Sequence, residues 1–310
     1  MATVTKEWTN GDLLTLVTSA GGIAVSSAEN LTGADREMTI RVQTTNQGAK
    51  AFQDIPIKQL ANISEYYRNL ISYAQGNSIA LPVELAALRT LITDLDDAGI
   101  LDKLDLFYLF AGSGIIAFKL INIVNPGTYN GTGYGGLVSS NNGVTGNGSN
   151  ARIDTGFNPG IISDNNRKYQ LNDASRGAYL HTYGTGLHTF DGIAGVQENM
   201  FQGGTTSGGL RKINQKANNS QTGTLFQTPG IVALSRNSAS SFLEIHNHIS
   251  SVNNTSSAGI SSFSTQSIFR AATANWGTDT LSCYFMGASI TLAESEIMDA
   301  AIKTFLNSLV

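Results

Sequence analysis

Hydrophobic and polar residues alternate in five short runs over residues 4–59, separated by turn-forming residues. In the fourth run, apolar residues at 38, 40 and 42 alternate with polar residues at 39, 41 and 43. This period of two is typical of a strand with one buried and one solvated face. The runs are TVTKEW, LLTLVTS, GIAVSS, REMTIRVQTT and AFQDIPIKQ. The pattern predicts a small antiparallel β-sandwich of immunoglobulin-like type over residues 1–61.

The hydrophobic period changes to a helical one over residues 62–105, which we interpret as a helical connector. One apolar stripe begins at Ile63 and predicts a helix that ends at Gly76. A second stripe follows the helix-starting Pro82 and ends before Gly99. Its residues are Leu81, Leu85, Leu88, Ile92 and Leu95. Two heptads leave two interpretations open: a helix docked on its own domain, or a packing seam between subunits.

Residues 106–310 are rich in strand-like segments and end in an amphipathic helix. The segments are DLFYLFA, IIAFKLINIV, ARIDTGF, GAYLHTY, GIVALSR, SFLEIHNH, SIFRAAT and LSCYFMGASI, and they alternate with Gly/Asn/Ser tracts. This interleaving predicts a two-sheet sandwich with long loops. Thr291 and Glu294 form a capping-box motif at the start of the last helix. The predicted fold class is therefore mainly β, ending in a helix.

Composition narrows the function classes. The chain has 310 residues, 14% of them charged, 33 glycines and a formal net charge of −4. A negative net charge is not typical of a protein that binds nucleic acid through a basic surface. No apolar run approaches the ~18 residues of a membrane-spanning helix. The opening residues MATVTKEWTNGDLLTL lack the charged and apolar regions of a secretory signal. We therefore expect a surface-type β-protein that leaves the cell by a route other than secretion.

Two resemblances refine the fold. Trp8, the stretch SSAENLTGADREMTIRV and the closing IPIKQ resemble the BACON-type Ig-like modules of Bacteroidales surface proteins and their phages. Residues 90–310 are similar to the concanavalin A-like (laminin-G-like) jelly rolls in structural proteins of tailed phages of Bacteroidales hosts, crAss-like phages among them. The ordered motifs are DLDDAGILDKLDLFYLFAG, KLINIVNPGTYN, GSNARIDTGFNPG, GAYLHTY, LSRNSASSFLEIHNH and FMGASITLAESEI. The second resemblance implies a jelly roll over 106–310 on a virion surface.

The expected function is that of a non-enzymatic virion structural protein, a capsid-surface, head-fibre or decoration component that acts by attachment and display. Its expected partners are other virion proteins and copies of itself, with a trimer favoured, and its expected location is the virion. Three alternatives stay open. They are a tail-fibre protein that recognises a host glycan, a bacterial carbohydrate-binding protein, and a glycan hydrolase.

The sequence lacks the motifs of the common hydrolase and phosphate-binding sites. Concanavalin A-like glycanases carry a Glu-x-Asp-x-x-Glu triplet, which is absent, and Glu244 lies on a predicted strand without an acidic partner in sequence. A Gly-x-Ser-x-Gly elbow and a phosphate-binding loop are absent as well. His246 and His248 are two positions apart, so they would share one strand face, yet no further ligand motif accompanies them. Cys283 is predicted to be a small buried hydrophobe.

Candidate ligand-binding residues are aromatic. Trp276, Tyr183 and Tyr134 sit beside glycines in predicted loops, where an exposed ring can stack on the apolar face of a sugar. His246 is a weaker candidate. No metal or cofactor is predicted, but calcium remains possible through loop oxygens. Its candidate ligands are Asp154, Asp164, Asn165 and Asp173.

Overall fold

A computed structural model divides the chain into two compact units, Met1–Ile63 and Ser64–Val310. In unit 1 the structure describes the backbone of five strands and of residue 63. In unit 2 it describes residues 64–160, 167–185, 188–193, 196–203, 209–215, 222–223, 228–258, 265–271 and 275–309, with backbone alone for 196–203, 209–210 and 222–223. Among these residues, no helix is long and apolar enough to cross a membrane.

Unit 1 contains five strands at the positions of the five alternating runs. They are β1 (Ala2–Lys6), β2 (Leu14–Ser19), β3 (Gly22–Ser27), β4 (Arg36–Asn46) and β5 (Ala49–Gln59). The strands β1, β4 and β5 form an antiparallel sheet in that order, and β2 pairs with β3 as a hairpin. The predicted buried face of β4 lies outside the described side chains. The BACON-type resemblance stays a prediction.

Unit 2 is built on two antiparallel sheets. One has seven strands in the order β15-β14-β13-β12-β19-β10-β7, and the other has eight, with β18-β17-β16-β11-β22-β9-β8 in order and β6 also paired with β22. The strands are β6 (Leu104–Leu109), β7 (Thr132–Tyr134), β8 (Val138–Ser140), β9 (Gly143–Thr145), β10 (Arg152–Asp154), β11 (Ala174–Thr182), β12 (His188–Ile193), β13 (Val196–Gly203), β14 (Gly209–Lys212), β15 (Thr222–Gly223), β16 (Gly230–Arg236), β17 (Phe242–His246), β18 (Ile249–Asn253), β19 (Gln266–Ile268), β20 (Arg270–Ala271), β21 (Asn275–Trp276) and β22 (Thr280–Gly287). The mainly β fold is confirmed.

In the described part of unit 2, the helices that accompany the sheets are α1 (Glu65–Gly76), α2 (Leu85–Asp97), α3 (Ile116–Lys119) and α4 (Leu292–Asn307). A 3-10 turn, Leu101–Lys103, precedes β6. The capping box at the start of α4 is confirmed, because the Thr291 hydroxyl accepts from the Glu294 N–H and the Glu294 carboxylate accepts from the Thr291 N–H. The C-terminal helix therefore begins where the sequence predicts it.

The eight-stranded sheet is the middle of three layers. On one face, Phe107, Cys283 and Phe285 pack with the helices α1, α2 and α4 in one apolar cluster. On the other face, Tyr284 and Met286 pack against the seven-stranded sheet in a second cluster. Alternate residues of β22 thus enter different cores. This explains why LSCYFMGASI reads as a continuous apolar run rather than an alternating one.

The helical segment shares a core with the sandwich. Within the predicted packing seam, Leu88, Ile92 and Leu95 are at most 1% exposed, and the half-buried Leu81 and Leu85 pack against the same cluster. These side chains are therefore taken up by the core of their own unit. The compact division of the chain falls at residues 63 and 64, so residues 64–105 belong to the same unit as the jelly roll.

One strand expectation is wrong. The segment IIAFKLINIV forms the short helix α3 and a following turn rather than a strand. The Asn122 side chain holds that turn: its oxygen accepts from the Phe107 N–H, and its amide donates to the carbonyls of Asp105 and Thr128. Long-range hydrogen bonds to a buried amide thus override the strand preference of a run rich in β-branched residues.

Candidate binding site

An open groove of about 540 Å³ lies between the segment of helix α3 and the edge strand β7 with the glycine turn that follows it. Its floor and walls are apolar, and one stretch of chain, residues 130–137, supplies glycine backbone and Tyr134. The lining residues are Ile79, Ile116, Ala117, Leu120, Ile121, Asn130, Gly131, Gly133, Tyr134, Gly135, Gly136 and Leu137. We call this feature the Tyr134 groove. It contains one of the three aromatic residues that the sequence predicts for ligand binding.

Tyr134 is held in place by its neighbours on the adjacent strand. It lies opposite Arg152 in the β7–β10 ladder, and the guanidinium carbon of Arg152 stands 4.2 Å from the centroid of the tyrosine ring. Arg152 is in turn oriented by a hydrogen bond from its Nε to Asp154. The ring of Tyr134 remains 43% exposed. The arrangement therefore presents a positioned aromatic ring whose one face stacks on a cation.

The polar side chain within the groove is already hydrogen-bonded. The oxygen of Asn130 accepts from the backbone N–H groups of Asn122 and Gly127, and its amide donates to the hydroxyl of Tyr73. Hydrogen bonds to a ligand would therefore come from the backbone of the glycine-rich edge strand β7. An apolar groove with one aromatic ring and a few backbone polar groups can bind a ligand by stacking and by burial of apolar surface.

A loop at residues 146–150 connects the Tyr134 groove to the other aromatic candidates. The Asn147 oxygen accepts three successive backbone N–H groups, from residues 149, 150 and 151, and its amide donates to the carbonyl of Gly135. On its other side, the N–H of Gly148 donates to the carbonyl of Gly277. Gly277 directly follows Trp276. No sequence motif indicates that one asparagine side chain organises this glycine-rich tract.

Tyr183 lies over a buried histidine–aspartate pair. Its ring stacks on His188, with centroids 3.6 Å apart. His188 Nδ1 is 2.7 Å from Asp279 Oδ1, which also accepts from the N–H of Gly184. No described residue bonds to the other oxygen of Asp279. Sequence reasoning missed this pair because its members are 91 positions apart. It anchors the Tyr183 loop to the short segment between Trp276 and β22.

Trp276 is half-buried on the short strand β21. It lies opposite Arg270 in the β20–β21 ladder, with the guanidinium carbon 5.2 Å from the centroid of the indole ring. Because the loop of Asn147 contacts both Gly135 and Gly277, the segments that bear Tyr134 and Trp276 lie at one end of the sandwich. Tyr134 and Trp276 therefore lie on short strands rather than in the loops that the sequence predicts, whereas Tyr183 follows β11 in a loop. Of the three, Tyr134 is the one that lines the groove.

The histidine expectation needs correction. His246 ends β17, whereas Asn247 and His248 form a turn with positive φ angles, so the two histidines do not share a strand face. His246 lies within hydrogen-bond distance of Thr228, and its burial lowers its pKa below the usual range. His248 instead contacts Asp299 on α4 at 2.8 Å. The tight two-residue hairpin turn separates the two rings.

The described acidic candidates are hydrogen-bonded within the fold. Glu244 accepts from Arg211 and Asn253, and Asp154 accepts from Arg152 and Ser267. Asp173 accepts from the N–H of Ser289. Asp164 and Asn165, the other calcium candidates, lie outside the described residues. Within the part of the chain that the structure describes, no three His, Cys, Asp or Glu side chains form a metal-binding group.

Cys283 is expected to be inert toward thiol reagents in the folded protein. It is fully buried in the core shared with the helices, and burial raises its pKa to about 12, so the reactive thiolate is scarce. Labelling with a thiol-specific chromogenic reagent should proceed at the rate at which unit 2 unfolds. Fast labelling in native buffer would contradict the burial. Because the chain has one cysteine, the same reaction reports on unit 2 alone.

The comparison with known proteins does not assign this chain to a family. No family model and no curated protein matches it. Among solved structures, domain 4 of AbnA, a GH43 extracellular arabinanase from Geobacillus stearothermophilus in complex with arabinotriose, is similar at 12% identity, with 64% of this chain and 98% of that chain covered and a TM-score of 0.37. A tryptophan-to-alanine mutant of HCR/D is similar at 9% identity, with 66% of this chain and 53% of that chain covered and a TM-score of 0.41.

Proposed function

We propose that this chain is a non-catalytic structural protein of a phage virion, on the capsid surface or a head fibre, that acts by attachment and display. The observation that carries the proposal is the division into two compact units. The helices of unit 2 pack in the core of that unit. Such an organisation suits a protein that docks through one unit and projects the other.

Two further features support this role. The ordered motifs of residues 90–310 resemble the jelly rolls of tailed-phage structural proteins. The low charged fraction of 14% leaves solubility to hydroxyl, amide and glycine groups, as in proteins that face the outside of a cell or particle. The partners under this proposal are capsid or tail proteins together with further copies of the chain, and its location is the virion.

Mass spectrometry of particles purified on a density gradient tests the virion role. We expect the chain to remain with the particles after high-salt washing, in a fixed ratio to the major capsid protein. Antibody-gold labelling of intact particles should then locate unit 2 on the outside. Absence from washed particles would contradict the proposal, and so would recovery of the chain as a free secreted protein.

A second candidate function is recognition of a host-surface glycan by the displayed unit. The Tyr134 groove is the observation that favours it, because an exposed, oriented tyrosine ring beside open strand backbone can stack on a pyranose. This role would make the chain a tail-fibre or carbohydrate-binding protein.

Tyr134→Ala is expected to reduce glycan binding by roughly tenfold, because it removes the buried apolar area of the ring together with a stacking contact of about 0.5–1.5 kcal/mol. The conservative variant Tyr134→Phe keeps the ring and should retain most of the affinity. A glycan array with the full-length protein, followed by calorimetry on any sugar bound, makes the measurement. Equal loss in both variants, or no selective binding by the unmodified chain, would count against the glycan role and leave the virion role untouched.

A further inference from the structure

The edge strand β18 of the eight-stranded sheet is exposed on both of its faces. Its sequence is Ile-Ser-Ser-Val-Asn, and its first four residues are all exposed. Ile249 is 73% exposed and Val252 is 63% exposed. The strand pairs with β17 on one side, and in the sheet order it is the terminal strand on the other. Branched apolar side chains on both faces of a terminal strand are unusual, because each is stabilised only when another layer or strand covers it.

The two apolar residues lie on opposite faces. Val252 lies opposite Leu243, which packs against the core shared with the helices. Ile249 lies opposite His246 and so lies on the other face, that of Phe242, which packs in the core between the sheets. A second strand added to this edge would therefore extend the sheet and partly cover an exposed apolar side chain on each face.

This edge lacks the usual devices that prevent strand addition. Natural sheets protect their edges with charged residues, especially lysine, with proline, or with bulges. None of the five residues of β18 is charged or proline, and the register with β17 runs without a shift from Phe242↔Asn253 to His246↔Ile249. The strand is therefore uncharged and regularly paired with β17, and among the described residues no strand pairs with its outer side.

We propose that β18 pairs with β18 of a second copy of this chain, antiparallel and about a two-fold axis, with Ser251 opposite Ser251 of the second copy. A neutral strand is compatible with its own copy, because no like charges come together. In this register each Val252 lies opposite Ser250 of the second copy and diagonal to the other Val252, on the helical face of the sheet. The eight-stranded sheet becomes continuous through both copies. This inference does not depend on the virion role.

We prefer the two-fold arrangement to a head-to-tail one because it pairs the longer of the two edge strands with itself. The opposite edge of the sheet is β8, which is also exposed and uncharged but has three residues against five in β18. Self-pairing of β18 forms the longer ladder, and it closes with two copies because the same surface is used on both. It differs from the trimer that the sequence analysis favours, and the difference is directly measurable.

Charge placed at the axis tests the proposal. Sedimentation equilibrium of the full chain should show a reversible monomer–dimer equilibrium. Ser251→Lys and Ser251→Glu should each weaken dimerisation by at least about tenfold, because like charges then lie directly opposite each other. An equimolar mixture of the two variants should regain dimers, because opposite charges then face across the axis. Unchanged thermal unfolding of both variants would show that the fold is intact.

Ser139→Lys on the exposed strand β8 is the matched control, and it should leave dimerisation unchanged. A weaker dimer in this variant would overturn the two-fold pairing and indicate head-to-tail association through β8. The proposal also fails if the unmodified chain is monomeric up to its solubility limit, if it forms trimers, or if mixing the lysine and glutamate variants restores nothing.

Discussion

Asp191→Ala is expected to lower the free energy of unfolding of unit 2 by about 3–5 kcal/mol, the largest effect we predict for a single substitution. Asp191 on β12 accepts from the Nε of Arg176 on β11 at 3.0 Å and from the hydroxyl of Tyr284 on β22 at 2.6 Å. All three residues are fully buried between the two sheets. Removal of the carboxylate would leave a guanidinium in an apolar core without a counter-charge, which is much costlier than loss of one contact.

Denaturant titration with thiol labelling of Cys283 as the readout measures this effect in unit 2. The matched control is Asp154→Ala, because the Arg152–Asp154 pair is 25% and 30% exposed and such pairs contribute at most about 1 kcal/mol. The double variant Arg176→Met, Asp191→Leu should regain much of the lost stability, since it removes both charges together. A loss in Asp191→Ala no larger than in Asp154→Ala would show that the buried pair is not what holds the sheets together.

Ile92→Ala is expected to destabilise unit 2 by about 2–5 kcal/mol, because it opens a cavity in a fully packed region. Ile92 is 0% exposed and belongs to the cluster that joins helix α2 to the eight-stranded sheet. The same substitution should leave the oligomeric state unchanged, because the side chain contacts its own unit. Chemical denaturation measures the loss of stability, and sedimentation measures the oligomeric state.

Ile297→Ala provides the control for Ile92, since it is the same change on another helix at a position that is 43% exposed. Its expected cost is within about 1 kcal/mol. A change of subunit number in Ile92→Ala would revive the interpretation of residues 81–95 as an intersubunit seam. Equal costs at the two positions would contradict the three-layer packing.

Local signals in the sequence were sufficient for most elements of the fold. The start of helix α4 was predictable, because its capping box depends only on contacts between Thr291 and Glu294, three positions apart. The segment GIVALSR coincides with β16, and the apolar run at residues 281–290 covers β22 apart from its first residue. These elements depend on hydrophobic period and caps, which are properties of neighbouring residues.

The sequence predicted one residue of the binding groove, but it did not predict the shape of the groove. Tyr134 beside glycines indicated an exposed aromatic ring, and it lines the groove. Its partner Arg152, the asparagine that organises the 146–150 loop, and the pairing of His188 with Asp279 carry no sequence signature. Each depends on a contact between segments that come together only when the sheets pair.

The sequence by itself determined that this is a mainly β chain with an alternating N-terminal region, two central helices and a capped terminal helix, because hydrophobic period and capping act over a few residues. Tertiary structure alone decided that those helices form a third layer on the sandwich, that residues 116–119 are helical, and that Arg176 meets Asp191 between the sheets. The physical reason is that burial and ion pairing depend on which distant segments pack together, and local preferences do not encode that choice.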